Sequence, residues 1–292
     1  MIIDLLNDNI SLKEALKKAK PYDTIILDDR KYIEKIEISI PHLTIIGRDN
    51  SIISYNDSHG TIIPKSLGGD GKTKYGTTGS STFRVLETAD YFTCKNITFE
   101  NTFSRKGKKD GQAVAFKSEI NYLRIDNCKF ISEQDTLYID MGSNNIISNS
   151  YIEGDVDFIF GSAECIFNNC TIKAKNINNV AYFTAPSTYV INPLGYIFYN
   201  CRFIADENMD LYLGRAWYPG LALFDVSPVE SFIDCKFDCD LKFDLIQMHE
   251  QDPFKQKFKI YNSSNNSKKI SNIGDVNKEI NKLKEENIYK NI

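Results

Sequence analysis

One four-residue unit decides the fold. It reads Asn96-Ile97-Thr98-Phe99, Asn127-Cys128-Lys129-Phe130, Asn149-Ser150-Tyr151-Ile152, Asn169-Cys170-Thr171-Ile172, Asn200-Cys201-Arg202-Phe203 and Asp234-Cys235-Lys236-Phe237. The second positions lie 31, 22, 20, 31 and 34 residues apart. A self-similar unit with a short base interval and variable insertions marks a β-solenoid, one unit per coil. Its second and fourth residues share a face and alternate with polar ones, as a strand requires. Cys128, Cys170, Cys201 and Cys235 occupy the same slot and read as small apolar residues stacked inside the solenoid. A metal site or reactive thiol is the sharper alternative, but these cysteines have no histidine neighbours to complete a zinc set.

Outward from the repeat, short β-type runs continue in both directions. Thr24-Ile25-Ile26-Leu27, Ile36-Glu37-Ile38-Ser39-Ile40 and Leu43-Thr44-Ile45-Ile46 are separated by Asp, Arg, Pro and Gly. Before them, Ser11-Leu12-Lys13-Glu14 is a capping box, so a short helix from Leu12 to Ala19 is expected, ending before Pro21. The stretch Ile260 to Asn272 is rich in Asn, Ser and Lys and reads as a loop. After Gly274, Val276, Ile280 and Leu283 have helical spacing, so a helix on the flank or end of the solenoid is expected. The fold class is therefore all-β: a solenoid over 1–250, with a short N-terminal helix, and a tail over 251–292, loop then helix.

Composition bounds the partners. A net charge of −4 over 292 residues argues against a general nucleic-acid binder, which needs a basic face. No apolar run reaches the ~20 residues of a membrane span. Met1 to Asp8 carries two aspartates and no basic n-region, so a cytoplasmic protein is expected. Seven cysteines imply no disulfide framework. Oligomeric state is not legible.

The chemistry is narrowed first by what is missing. His42, His59 and His249 form no metal-ligand motif, and no G-x-S-x-G elbow exists. Gly69-Asp70-Gly71-Lys72-Thr73 resembles the end of a phosphate loop, but Ser66 stands where its first glycine belongs, so it reads as an ordinary loop. What remains is a polar set at a fixed interval. Gln112 and Gln134 are 22 residues apart, and so are Asp135 and Asp157. That interval equals one of the coil repeats, so each pair should stack at roughly 4.8 Å, the strand spacing. Two carboxyls that close do not both ionise readily: one is pushed towards the protonated form while the other stays charged. Two neutral carboxamides beside them offer N–H donors to an oxyanion. The plain alternative is a polar ladder that satisfies only itself.

Four motifs in order choose between these. Gly111-Gln112-Ala113-Val114-Ala115, Gln134-Asp135-Thr136-Leu137-Tyr138, Asp157-Phe158-Ile159-Phe160-Gly161 and Leu213-Gly214-Arg215-Ala216-Trp217 resemble the pectin methylesterases (pectinesterases) across about residues 10 to 240. The resemblance implies a right-handed parallel β-helix that removes methyl esters from galacturonate residues and releases methanol. It implies Asp157 as nucleophile, Asp135 as general acid and then base, and Gln112 and Gln134 as oxyanion donors. It implies Arg215 as the partner that keeps Asp157 ionised, and Trp217, Tyr138 and Phe160 as sugar platforms. No metal or organic cofactor is implied. The implied partner is pectin or a methylated galacturonan oligosaccharide. Phe158 and Ile159 read as core.

Three positions depart from the family pattern. Ala216 stands for a usual Pro, Lys117 for a usual Arg, and Pro186 for a usual Gln, which leaves subsite preference open. Two kinds of rival stand beside this reading. A polygalacturonase would use two carboxylates but leaves the glutamines unexplained, and a lyase would want a calcium-type cluster. A non-catalytic sugar-binding β-helix, or an esterase acting on a different carbohydrate ester, is the other alternative.

Overall fold

Each repeat unit turns the chain through one tight corner, and the corner explains the leading asparagine. Asn96, Asn127, Asn149, Asn169, Asn200 and Asp234 all have φ between 51° and 58°. This left-handed region is one that Asn and Asp tolerate better than other residues with a β-carbon. The computed structural model describes residues 1–108, 111–219, 225–241 and 257–288.

Among the described residues the chain winds into a parallel β-helix of three sheets. The first runs in ten strands from Ile2–Asp4 to Lys257–Tyr261, and neighbouring strands are parallel throughout. The second begins at Lys31–Ile33 and ends in a small antiparallel hairpin, Ser264–Asn265 with Lys268–Lys269. The third has seven strands, from Ile36–Ile38 to Asp210–Gly214. The Asn corner joins the first sheet to the second. Strand register there reproduces the sequence intervals: Lys129 pairs with Thr98, Tyr151 with Lys129, Thr171 with Tyr151, Arg202 with Thr171 and Lys236 with Arg202.

The interior is filled by the second and fourth positions of each unit. Cys128, Cys170, Cys201 and Cys235 are buried with free thiols, and burial pushes the Cys170 and Cys201 thiols well up. Ser150 takes the same slot by accepting the Cys128 amide at 3.1 Å. Aromatic rings continue the stack, Phe99 on Phe130 at 5.6 Å and Phe203 on Phe237 at 4.8 Å. Phe158 and Ile159 belong to this core, as read from sequence.

The N-terminal helix spans Leu12–Lys18, with both halves of its capping box formed between Ser11 and Glu14. Leu12 and Ala15 join the interior core. The C-terminal helix, Asn277–Glu285, lies on the flank: Val276 and Leu283 pack on Ile166, Ile197 and Ile233 of the first sheet's outer face.

The loop expected from Ile260 to Asn272 is instead largely a further coil. Lys257–Tyr261 extends the first sheet, and Asn262 turns the same left-handed corner at φ 47°. Ser263 fills the cysteine slot, accepting the Cys235 amide at 3.0 Å. The pair Asn262-Ser263 matches Asn149-Ser150, but Asn265 replaces the apolar fourth residue, which hid the unit. Residues 251–256, the start of the expected tail, lie outside the described residues.

Candidate active site

The corner between the second and third sheets uses the same backbone turn with a different residue. Asp135 and Asp157 have φ of 64° and 54°. The Asp135 amide donates to the Val156 carbonyl at 3.1 Å and the Leu137 amide to Phe158 at 2.8 Å, so Asp135 lies directly against Asp157, one coil away. Gln112 meets Gln134 through a register shift. The Ala113 amide donates to the Gln134 carbonyl at 3.0 Å, which keeps the 22-residue interval, yet Phe116 pairs with Leu137, 21 residues on. The amides of Ala115 and Phe116 both reach the Thr136 carbonyl, at 2.9 and 3.3 Å, and this bulge absorbs the extra residue.

Arg215 arrives from two coils further along. Its amide donates to the Thr184 carbonyl at 3.0 Å, just after the strand Asp210–Gly214. The guanidinium then grips Asp157 with both arms, Nε to Oδ1 at 2.7 Å and Nη2 to Oδ2 at 2.6 Å. This charge-assisted fork favours the carboxylate form of Asp157. Its planar face rests over the Tyr182 ring at 4.2 Å. Asp135 has no such fork. Burial, and then the charge of Asp157, push its carboxyl well above the usual carboxylate range. Asp135 is thus pushed towards the protonated form, while the fork on Asp157 favours charge there.

The amides are placed beside them. Gln134 Oε1 accepts the Gly111 amide at 3.0 Å, which turns the Gln134 NH₂ group away from that contact. Gly111 is needed there because a β-carbon would lie 2.5 Å from the Arg105 Cβ. Gln112 Oε1 is buried and makes no hydrogen bond among the described residues.

Tyr138, Phe160 and Trp217 form an apolar wall with Val114 and Ala185. Tyr138 and Phe160 stack at 4.1 Å, and Trp217 stands edge-on to Tyr138 at 6.4 Å and tilted to Phe160 at 5.9 Å. Gly161, at φ +126°, lets the strand turn behind this wall. Lys117 supports it from below, with Nζ over the Tyr138 ring at 4.2 Å and paired with Glu119 at 3.0 Å. Ala216 is buried, and the Trp217 amide still donates to the Pro186 carbonyl at 2.9 Å. Pro186 is itself buried, while Ala185 beside it lines the cleft.

All eight residues singled out from sequence thus border one cleft of about 880 Å³: Gln112, Gln134, Asp135, Tyr138, Asp157, Phe160, Arg215 and Trp217. Sequence reading missed Tyr75 to Thr78, Arg105, Val180, Tyr182 and Tyr218, which line it too. These come from loops or from outside the quoted motifs, so no periodic signal marks them. Among the described residues no three His, Cys, Asp or Glu side chains are grouped to hold a metal. Gly69 to Thr73 is an exposed turn tied by Asp70 to the Lys72 and Thr73 amides, both at 2.7 Å.

Comparison with known proteins gives the same direction. A family model described as Pectinesterase matches residues 8–233. A pectinesterase of Sitophilus oryzae is 36% identical over 160 residues, covering 51% of this chain and 41% of that protein. This chain spans well under two thirds of the length of the curated relatives first matched. The pectin methylesterase from Yersinia enterocolitica superposes with a TM-score of 0.75 at 29% identity, covering 89% of this chain and 92% of the other. A pectin methylesterase crystallised with a hexasaccharide gives a TM-score of 0.79 at 24% identity, covering 92% and 90%.

Proposed function

The chain belongs to the pectinesterase family, and from that membership we propose that it hydrolyses methyl esters of galacturonate in pectin or methylated oligogalacturonides, releasing methanol. The observation that carries the proposal is the stacked pair Asp135 and Asp157 with only Asp157 forked by Arg215.

Asp157 attacks the ester carbonyl carbon through a carboxylate oxygen. The Arg215 fork keeps the attacking carboxylate charged and oriented. The carbonyl oxygen becomes an oxyanion, held by the NH₂ groups of Gln134 and Gln112. The bond to the methoxy oxygen breaks as Asp135 gives that oxygen its proton, and methanol departs. The product is an acyl-enzyme on Asp157. Water then attacks the acyl carbon while the Asp135 carboxylate takes its proton. The product leaves as the carboxylic acid and gives its proton to solvent, with Asp157 restored as carboxylate and Asp135 protonated again. The hexasaccharide in a related pectin methylesterase supports a sugar chain along the Tyr138, Phe160 and Trp217 wall.

The purified protein is given methylated oligogalacturonides and pectin, and both methanol and reducing ends are followed. Methanol without new reducing ends is expected. Reducing ends without methanol would mean glycosidic cleavage, and neither product from folded protein would leave a binding module or a different ester.

A further inference from the structure

Beside the dyad lies a buried ion pair that the ester chemistry does not use. Arg105 Nη1 is bonded to Asp155 Oδ2, with Asp155 fully buried and Arg105 5% exposed. Asp155 is locked into the Asp157 corner. Its Oδ1 accepts the Val156 amide at 2.7 Å, its own amide donates to the Glu133 carbonyl at 3.1 Å, and its carbonyl accepts the Tyr182 amide at 2.8 Å. Arg105 is tethered to the Gln134–Asp135 corner through Glu133, whose Oε2 accepts the Arg105 amide at 2.5 Å and whose Oε1 accepts the Ser104 hydroxyl at 3.1 Å. Arg105 also presses against Gly111, the residue that orients Gln134. It borders the cleft with Gln112, Gln134 and Asp135.

We propose that Arg105 and Asp155 are a positioning pair for the dyad: Asp155 holds Arg105 so that a second guanidinium faces Asp135. The inference rests on the ester-hydrolase reading. Breaking a buried pair leaves an uncompensated charge, so removing either partner alone is costly. The charged groups that act on Asp135 are Asp157, Arg215, Arg105 and Asp155. Arg105 favours its ionised form and Asp155 opposes it. Glu133 is occupied by Arg105 and Ser104.

The two partners therefore have opposite effects on one proton, although they share one contact. A structural pair predicts that removing either partner acts alike. The test follows the Asp135 carboxyl by ¹³C NMR against pH, alongside the alkaline limb of kcat/KM for methanol release. Arg105→Met should raise the midpoint by about half a pH unit or more, about a threefold change in the ionisation ratio, and Asp155→Asn should lower it. The alkaline limb should follow, since the free enzyme acts with Asp135 protonated. The double variant Arg105→Met/Asp155→Leu leaves no lone buried charge, which protects folding; its midpoint should lie above that of the wild type and below that of Arg105→Met. Shifts in the same direction for both single variants, or a double variant titrating as wild type, would overturn the proposal. Opposite shifts in a protein that releases no methanol would keep the pair and contradict the ester reading alone.

Discussion

Two corners of the same β-helix carry the same backbone and do opposite things. At the first corner, Asn127, Asn149, Asn169 and Asn200 stack coil upon coil with left-handed φ. Each side-chain amide donates to an acceptor one coil back: Asn127 to Asn96 at 2.9 Å, Asn149 to Asp126 at 2.8 Å, Asn169 to Asn149 at 2.8 Å and Asn200 to Asn169 at 3.4 Å. Where an aspartate enters this ladder, a donor faces it, as Asn262 faces Asp234 at 2.5 Å. At the second corner, Asp135 and Asp157 repeat the conformation and the one-coil stacking, but neither side chain carries an N–H. The tension is resolved by a fork on one acid and a held proton on the other. Replacing an NH₂ by an oxygen separates a structural ladder from the pair proposed to react, so the comparison can be broken by exchanging the two.

The largest effect should come from Asp157→Asn, which makes the second corner resemble the first. Asn suits the left-handed φ, so folding should survive while the nucleophile is lost. Methanol release should fall by at least about 10⁴-fold, about 5.5 kcal/mol in the barrier. Asp157→Ala adds backbone strain at φ 54° and is the poorer control. Next comes the packed interior behind both corners. Phe130→Ala should cost about 3–5 kcal/mol of stability in denaturant unfolding, through the cavity left between Phe99 and Phe116. Gln134→Ala should lower kcat by about 10²–10³-fold, the usual loss for one oxyanion donor. Melting temperature in the same samples separates that loss from unfolding.

The smaller effects sharpen the contrast. Asn169→Ala should cost about 1–2 kcal/mol of stability, from the left-handed backbone and two exposed ladder bonds, with methanol release unchanged. Asp135→Asn tests the sign of the held proton. The folded-state pKa of Asp135 is raised, so the stability tied to this group is full below its unfolded value of about 3.9 and declines as pH climbs towards the folded value. Asp135→Asn removes that decline. It should leave stability near pH 4 unchanged and raise it at neutral pH. Equal melting shifts at both values would contradict the assignment.

The ladder was legible because its unit is short and rigid: five intervals in sequence became five strand registers. The dyad was legible for the same reason, since Asp135 and Asp157 differ by one coil. The one-coil register of Gln112 and Gln134 survives only through the Ala115–Phe116 bulge, which a residue count does not reveal. The last coil stayed hidden because Asn265 broke the apolar pattern that Asn262-Ser263 had begun. Arg105 was invisible because it acts across loops, through Asp155 and Glu133, where no period links the partners. Asp155 stands beside a quoted motif, but its burial and its partner are properties of the folded chain.

One measurement tests the central claim most directly. Methanol release from methylated oligogalacturonides is compared for wild type and Asp157→Asn, with thermal melting of both. The account predicts release by the wild type, none above background from the variant, and a cooperative melting transition in both. Methanol release retained by Asp157→Asn would contradict it, because a ladder corner would then suffice for the chemistry.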